Sequence, residues 1–200
     1  MTHIENVPHI LQFGITHRDS ANRHPNYTPI GDETLIDVRS QKTLILTSGN
    51  HVTLDDYIPF YFGVRMPMLY VIQRGFNSVK KTEAENVVYC VCNIQKVVEE
   101  GVEFVFTDGH ATDTLTNIYP KDAATQIPDL LDFEAIQSKY WKDENDLDLK
   151  RRKEAEFLIK TDTAPELITG FTVYNQTAKE RSINVNTPEK MIGIRPQFYF

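Results

Sequence analysis

The sequence predicts an α+β fold, with helices and strands segregated along the chain rather than alternating regularly. Two observations support this class. Short runs of β-branched and aromatic residues between turn formers, typical of strands in a mixed sheet, occur in both halves of the chain. A polar and charged block from Asp108 to Lys153 separates them and has helical spacing near its middle. With 40% apolar and 24% charged residues, residues 1–200 are expected to form a single domain with one core.

The N-terminal segment predicts a short helix over roughly residues 7–13. Val7 and Ile10 recur at helical spacing, Asn6 is a candidate N-cap, and Gly14 is a candidate C-terminal stop. The helix N-terminus behind Asn6 is also a candidate site for a pyrophosphate, because its backbone N–H groups point outwards.

A long polar loop is predicted over residues 20–33, which contain two prolines and one glycine. Such loops often have functional roles. The strands predicted after it are TLILTS, YIPFYFG, MLYVIQ, NVVYCVCNI and EFVFTDG. A helix is predicted in FEAIQSKYWKD, residues 133–143, followed by the strand-like runs AEFLIKT, LITGFTVYN and KMIGIRPQFYF.

Charge and cysteine content narrow the class of protein. The net charge of −7 gives little long-range attraction to polyanions, so a nucleic-acid site is expected to be a local basic groove. Cys90 and Cys92 are expected to be reduced core residues, and no second pair is present to complete a zinc site. The start resembles no signal peptide, and no stretch could span a bilayer, so we expect a cytoplasmic location and no membrane contact.

Several common chemistries lack their motifs. The sequence contains no Gly-rich phosphate loop, no G-x-G-x-x-G after a strand, no H-E-x-x-H and no G-x-S-x-G. The histidines do not have metal-ligand spacing as a set. Metal-free chemistry is therefore expected.

Two carboxylates in KEAEFLIK are candidate catalytic groups. A strand would place Glu154 and Glu156 on one face. There they would stabilise the positive charge that spreads over the ribose when nicotinamide leaves NAD, as in glycoside hydrolysis. Alternatively, KRRKEAE fits helical i,i+4 pairing and would be a solvated charged surface.

Arg65 lies in the apolar and aromatic stretch FGVRMPM. An arginine in such surroundings requires an anionic or hydrogen-bonding partner. The partner is either a ligand or a carboxylate of the same chain, and composition does not distinguish the two.

Four segments resemble, in order and spacing, the DarT family of DNA-modifying ADP-ribosyltransferase toxins, and the resemblance spans nearly the whole chain. They are THIENVPHILQFGI, IPFYFGVRMPMLY, FTDGHAT and KRRKEAEFLI. The resemblance implies an ADP-ribosyltransferase (PARP-like) fold with a split mixed β core and peripheral helices. It also implies NAD as co-substrate, a base in single-stranded DNA as acceptor (thymine in the best-known branch), and a DarG-like macrodomain antitoxin as partner.

The resemblance also assigns site residues. It places the essential carboxylate at Glu156 and a second catalytic group at Arg65. The resemblance also makes His3 and Arg65 expected NAD contacts, and Thr2, Asn6 and Tyr27 are expected to join them from their positions and side-chain chemistry. The basic run 150–153 and its surroundings, rather than the resemblance, indicate the residues expected to contact DNA, which are Tyr119, Lys150, Arg151, Arg152 and Glu154. The chain departs from the family at Val64 and Met66, where Pro and Ser are frequent, and at His110, where Asn is frequent.

Two other functions remain open from the sequence. One keeps NAD chemistry with a protein, an RNA end or water as acceptor. The other is a non-catalytic module that binds a nucleotide or a protein, which has no need of both Arg65 and Glu156.

Overall fold

A computed structural model describes residues 1–200. Eight α-helices are present: α1 Val7–Phe13, α2 Glu33–Ser40, α3 Pro67–Arg74, α4 Ile94–Glu99, α5 Ile127–Leu130, α6 Phe133–Gln137, α7 Leu149–Lys153 and α8 Gln176–Asn184. Ten strands are present: β1 Thr2–His3, β2 Thr43–Ile45, β3 His51–Thr53, β4 Tyr57–Tyr61, β5 Val87–Cys92, β6 Phe104–Thr107, β7 Ile118–Pro120, β8 Glu156–Lys160, β9 Ile168–Val173 and β10 Ile192–Ile194. The element content agrees with the predicted α+β class.

The chain divides into two compact units. The first comprises residues 1–32, 68–101 and 161–200, and the second comprises residues 33–67 and 102–160. The expectation that residues 1–200 act as a single domain stays a prediction.

The first unit is built on a mixed four-stranded sheet. Its order is β1-β5-β9-β10, in which β9 and β10 are parallel and the other neighbours are antiparallel. Helix α1 packs on this sheet through Val7 and Ile10, which join the apolar cluster around Val88 and Phe171. The cluster buries the helix face that the sequence spacing predicts.

Helix α1 has the predicted bounds and ends at the predicted glycine. Gly14 adopts a positive φ of 80°, and its N–H donates to Ile10 O at 2.9 Å. A Cβ at Gly14 would lie 1.9 Å from Thr163 O, so no larger residue fits this position. The predicted loop after α1 is confirmed up to Asp32, and α2 begins at Glu33.

The second unit is built on an antiparallel four-stranded sheet of order β4-β8-β6-β7, with a β2–β3 hairpin beside it in sequence. Strand β8 is central and pairs with both β4 and β6. Its register places Tyr61 opposite Glu156 at one end and Tyr57 opposite Lys160 at the other. Glu156 is therefore the first residue of a central strand that is paired on both sides.

Three predicted elements were wrong in type or extent. Residues 68–73, MLYVIQ, form most of helix α3 rather than a strand, because Leu69 and Ile72 share a buried helix face. The helix predicted over residues 133–143 ends at Gln137. Within the C-terminal run, only Ile192–Ile194 forms a strand.

None of the helices is long and apolar enough to cross a membrane. No group of three or more His, Cys, Asp or Glu side chains is arranged to hold a metal ion.

Candidate active site

Glu156 is a buried carboxylate at the first position of β8. Its side chain is only 1% exposed. Arg39 of α2 donates from Nη1 to Oε2 at 2.9 Å and to Oε1 at 3.3 Å. The backbone N–H of Ala111 donates to Oε1 at 3.0 Å. These contacts fix the carboxylate in one orientation, which excludes the solvated charged face considered for this residue.

The 108–112 turn belongs to the same site. Thr107 Oγ1 accepts from the N–H of Glu156 at 2.9 Å and donates to Gly109 O at 2.6 Å. This double contact links the turn to β8 and places Ala111 N on the carboxylate. His110 Nε2 lies 3.8 Å from Glu156 Oε1.

Gly109 packs closely against two side chains within this turn. A Cβ there would lie 2.6 Å from Arg151 Nη1 and 2.8 Å from Thr116 Oγ1. The 108–112 turn therefore has a role at the site, because it supplies the Ala111 N–H that donates to the Glu156 carboxylate.

Tyr61 is the cross-strand neighbour of Glu156. Burial, and then the negative charges of Glu156 and Glu154, raise the pKa of its hydroxyl. The hydroxyl therefore stays protonated beside the carboxylates.

The prediction that Glu154 and Glu156 share a strand face was wrong. Glu154 is the residue that caps the C-terminus of α7, and the strand starts two residues later. Helical pairing, the alternative considered for KRRKEAE, applies here: Lys150 Nζ lies 3.0 Å from Glu154 Oε2 as an i,i+4 pair. After burial, the negative charges of both carboxylates nevertheless raise the pKa of the Tyr61 hydroxyl.

The arginines of the basic run have carboxylate partners within their own unit. Arg151 is bidentate to Asp148, at 2.7 and 2.8 Å, and also donates to Asp108 at 2.9 Å. Arg152 pairs with Asp132 and with two further carboxylates. Both guanidiniums are largely buried.

Among the charged residues expected to contact DNA, Lys150 has the most exposed side chain, at 58%. Tyr119 of β7 stacks on Phe106, with ring centroids 5.1 Å apart. The assignment of these residues, with Arg151 and Arg152, to DNA stays a prediction.

Arg65 occupies the turn after β4 in a left-handed conformation with φ of 55°. Burial, and then the positive charge of Arg65, lower the pKa of Lys153. The arginine that contacts Glu156 is Arg39, which the sequence did not reveal. No local signal was available, because the contact spans 117 residues.

In the first unit, three of the residues expected to bind NAD, Thr2, Asn6 and Tyr27, form one hydrogen-bonded group. Asn6 donates from Nδ2 to Thr2 Oγ1 and to Thr28 O, both at 2.9 Å, and accepts from Thr28 N at 2.9 Å. Asn6 is the N-cap residue of α1, as predicted, but its side chain makes no capping hydrogen bond to the helix. Its amide instead ties β1 to the end of the 20–32 loop.

Tyr27 completes this group. Its side chain is hydrogen-bonded to Thr2, and burial of the hydroxyl raises its pKa. The residue as a whole is nevertheless 55% exposed. The hydroxyl is anchored while the ring is presented to solvent, as a stacking group requires.

His3 is held by its own backbone turn rather than frayed. Nδ1 accepts from Glu5 N at 3.3 Å. Burial lowers the pKa of His3, and the charges of Arg181 and Lys80 lower it further against the opposing effect of Glu5. The neutral imidazole, with Nδ1 as acceptor, leaves Nε2 as a hydrogen-bond donor.

Comparisons with known proteins agree with this arrangement. The family model described as "ssDNA thymidine ADP-ribosyltransferase, DarT" matches residues 1–200. A DNA ADP-ribosyl transferase of Thermus sp. (strain 2.9) is 32% identical over 209 residues, covering all of this chain and 94% of that protein. One from Escherichia coli O127:H6 is 32% identical over 180 residues, covering 90% of this chain and 80% of that protein.

Solved structures are similar over the whole chain. Thermus sp. 2.9 DarT in complex with ADP-ribosylated single-stranded DNA superposes with a TM-score of 0.83 at 29% identity, covering 100% of this chain and 93% of that one. The same protein in complex with NAD+ gives a TM-score of 0.78 at 28% identity, covering 100% of this chain and 94% of that one.

A further sequence relative is a fusion protein. The DNA ADP-ribosyl transferase–DNA ADP-ribosyl glycohydrolase fusion of Thermosipho africanus is 24% identical over 203 residues, which cover all of this chain and 48% of that protein.

The residue resemblance, the fold and the family match agree over the whole length. The chain belongs to the DarT family of single-stranded DNA thymidine ADP-ribosyltransferases.

Proposed function

We propose that the chain transfers ADP-ribose from NAD to a thymine base in single-stranded DNA, as the toxin of a toxin–antitoxin pair. The observation that supports this most strongly is the buried Glu156 carboxylate, held by Arg39 and Ala111 N. A carboxylate fixed in this way matches a transition state in which positive charge develops on a ribose.

The reaction begins with loss of nicotinamide. The bond between its ring nitrogen and the ribose C1′ breaks, and the bonding electrons leave with nicotinamide. Positive charge spreads over C1′ and the ring oxygen, where Glu156 stabilises it. A ring nitrogen of the base then bonds to C1′ while its proton leaves to solvent, so the base is neutral in the product, and Arg65 offsets the negative charge that develops on the base as the proton departs.

NAD binding is assigned to the first-unit group and to Arg65. Thr2, Asn6 and Tyr27 form one network with an exposed aromatic ring, and His3 offers an N–H donor beside it in sequence. An exposed tyrosine ring with a fixed hydroxyl is suited to stack on adenine or nicotinamide. The amide of Asn6 already makes three hydrogen bonds, so its role is to position the loop.

The acceptor is assigned to single-stranded DNA because a stacked and paired base is out of reach. The solved complex of the Thermus relative with ADP-ribosylated single-stranded DNA supports this acceptor. Tyr119, Lys150, Arg151, Arg152 and Glu154 are the proposed DNA contacts. We propose that residues 1–200 act as one domain, in the cytoplasm, without a metal or a membrane.

A DarG-like macrodomain antitoxin is the proposed partner. A relative from Thermosipho africanus is named as a fusion of a DNA ADP-ribosyl transferase with a DNA ADP-ribosyl glycohydrolase. A partner that removes ADP-ribose from DNA would reverse the proposed reaction.

The proposal is tested with NAD and single-stranded oligonucleotides that each lack one base, weighed by mass spectrometry. We expect the mass of one ADP-ribose to be added only when thymine is present, and not by Glu156→Ala. NAD consumption with unmodified oligonucleotides would indicate a protein acceptor or a glycohydrolase. No NAD turnover would indicate the binding module.

A further inference from the structure

Lys153, the last residue of α7, has a fully buried ammonium group. The residue is 0% exposed. Its Nζ donates to the backbone carbonyls of Ser138 at 2.7 Å, Ile136 at 3.1 Å and Val64 at 3.4 Å. An ammonium has three N–H donors, so these three acceptors match its full capacity.

The three carbonyls come from the two segments around the start of the glutamate strand. Val64 precedes Arg65 in the turn after β4, and Ile136 and Ser138 lie at the end of α6. Lys153 itself is separated from Glu156 by two residues. One buried charge therefore joins the Arg65 turn, the end of α6 and the beginning of β8.

Burial of a lysine ammonium costs free energy, because the charge loses its contacts with water. Desolvation of the ammonium is only offset when its hydrogen bonds are directional and complete, and an apolar side chain of similar length would avoid that cost. The complete set of carbonyl acceptors indicates that the contacts, rather than the volume, are what this position supplies.

We propose that Lys153 is a positioning residue for the reaction, and that its ammonium holds the Arg65 turn and the start of β8 in their working geometry. The inference rests on the proposed function, in which Arg65 and Glu156 serve the reaction. Lys153 has no contact with the substrate in this proposal and acts only through the backbone segments that it joins.

If Lys153 has this positioning role, the activity should depend on whether its amine is protonated, and therefore on pH. Burial, with the positive charge of Arg65 and against the negative charge of Glu154, lowers the pKa of Lys153 to about 8. Above that pH the neutral amine has two donors for three carbonyls, and its lone pair faces a carbonyl oxygen. The working geometry is present below the pKa and is lost as the pH rises through it.

The test compares wild type, Lys153→Met and the exposed-strand control Lys160→Met. We expect Lys153→Met to lower kcat about 100-fold, the size that a small misplacement of catalytic groups produces. The KM for NAD should rise much less than kcat falls, because Lys153 makes no contact with NAD in this proposal and the Arg65 turn that it holds supplies only one of the proposed NAD contacts. Wild-type kcat should fall on the alkaline side with an apparent pKa near 8, and Lys153→Met should lack this fall.

Hydrogen exchange supplies a readout that needs no activity. Amides of residues 62–66 and 136–138 should lose protection in Lys153→Met, and in wild type above pH 8 beyond the intrinsic pH effect. If Lys153→Met does not fold, the wild-type exchange and kcat profiles at a constant melting temperature decide the question. Unchanged protection, or changed protection with wild-type kcat and the alkaline fall intact, would overturn the proposal. An inactive wild type with the expected exchange changes would count against the proposed reaction alone.

Discussion

Arg39 Nη1 lies 2.9 Å from Oε2 and 3.3 Å from Oε1 of Glu156, although the two residues are 117 positions apart in the chain. The pair orients the carboxylate that the proposed reaction needs. It also balances a buried negative charge, which would be costly without a partner.

Replacement of Arg39 should therefore damage both stability and rate. Arg39→Gln leaves the Glu156 charge buried with the Ala111 amide as its remaining close donor, and we expect a loss of about 3 kcal/mol in unfolding free energy. We expect kcat to fall at least about 100-fold. Urea unfolding and steady-state kinetics measure the two effects, with Val38→Ala, an exposed residue of the same helix, as control. Wild-type kcat in Arg39→Gln would show that the ion pair is not needed for the reaction.

Thr107→Val tests the link between the 108–112 turn and β8. The substitution keeps the shape and removes the hydrogen bonds of the hydroxyl to Gly109 O, Glu156 N and, at 3.4 Å, Glu156 O. We expect a loss of about 1–3 kcal/mol in unfolding free energy and a lower kcat. Thr43→Val, at an exposed strand position, is the control. Equal stability of Thr107→Val and wild type would contradict this role for the hydroxyl.

The two parts of the Tyr27 side chain have different proposed roles: the ring stacks on NAD, and the hydroxyl is hydrogen-bonded to Thr2. Tyr27→Ala should raise the KM for NAD about ten-fold, the effect of losing one aromatic stack on a base. Tyr27→Phe keeps the ring and loses only the contact with Thr2, so its KM should stay closer to wild type. Initial rates over a range of NAD concentrations make the comparison. An unchanged KM in Tyr27→Ala would remove Tyr27 from the NAD site.

The salt dependence of DNA binding and the melting temperature together should distinguish Lys150 from Arg152. Lys150 is exposed, so Lys150→Gln should weaken DNA binding and reduce the slope of log K against log salt by about 0.7, the value for one phosphate contact on a single strand. Arg152 has several carboxylate partners, so Arg152→Gln should lower the melting temperature in addition to weakening DNA binding, whereas Lys150→Gln should leave the melting temperature unchanged. Fluorescence anisotropy and thermal melts measure these changes. A flat salt response in wild type would favour an acceptor other than DNA.

The sequence predicted those elements whose signals are local. Helix α1 has the predicted bounds because Val7 and Ile10 define its buried face and Gly14 ends it. Residues 68–73 were misassigned because a short apolar run fits either a strand or a buried helix, and only packing decides.

The site shows the same limit. Glu156 was identifiable because its motif surrounds it in sequence. Arg39 and the Ala111 amide were not, because their role depends on contacts across the second unit. The helical end at Glu154 agrees with the i,i+4 alternative that the sequence offers, whereas the pairing of Arg151 with Asp108 and of Arg152 with Asp132 depends on tertiary packing.

The role of Glu156 is tested most directly by single-turnover transfer to a thymine-containing oligonucleotide with saturating NAD. Glu166→Gln, at an exposed position, is the matched control. We expect Glu156→Gln to transfer at least about 1000-fold more slowly than wild type, because it removes the charge that stabilises the ribosyl cation. Its affinity for NAD should be close to that of wild type. Transfer by Glu156→Gln within ten-fold of the wild-type rate would contradict the assignment of Glu156 as the group that stabilises this cation.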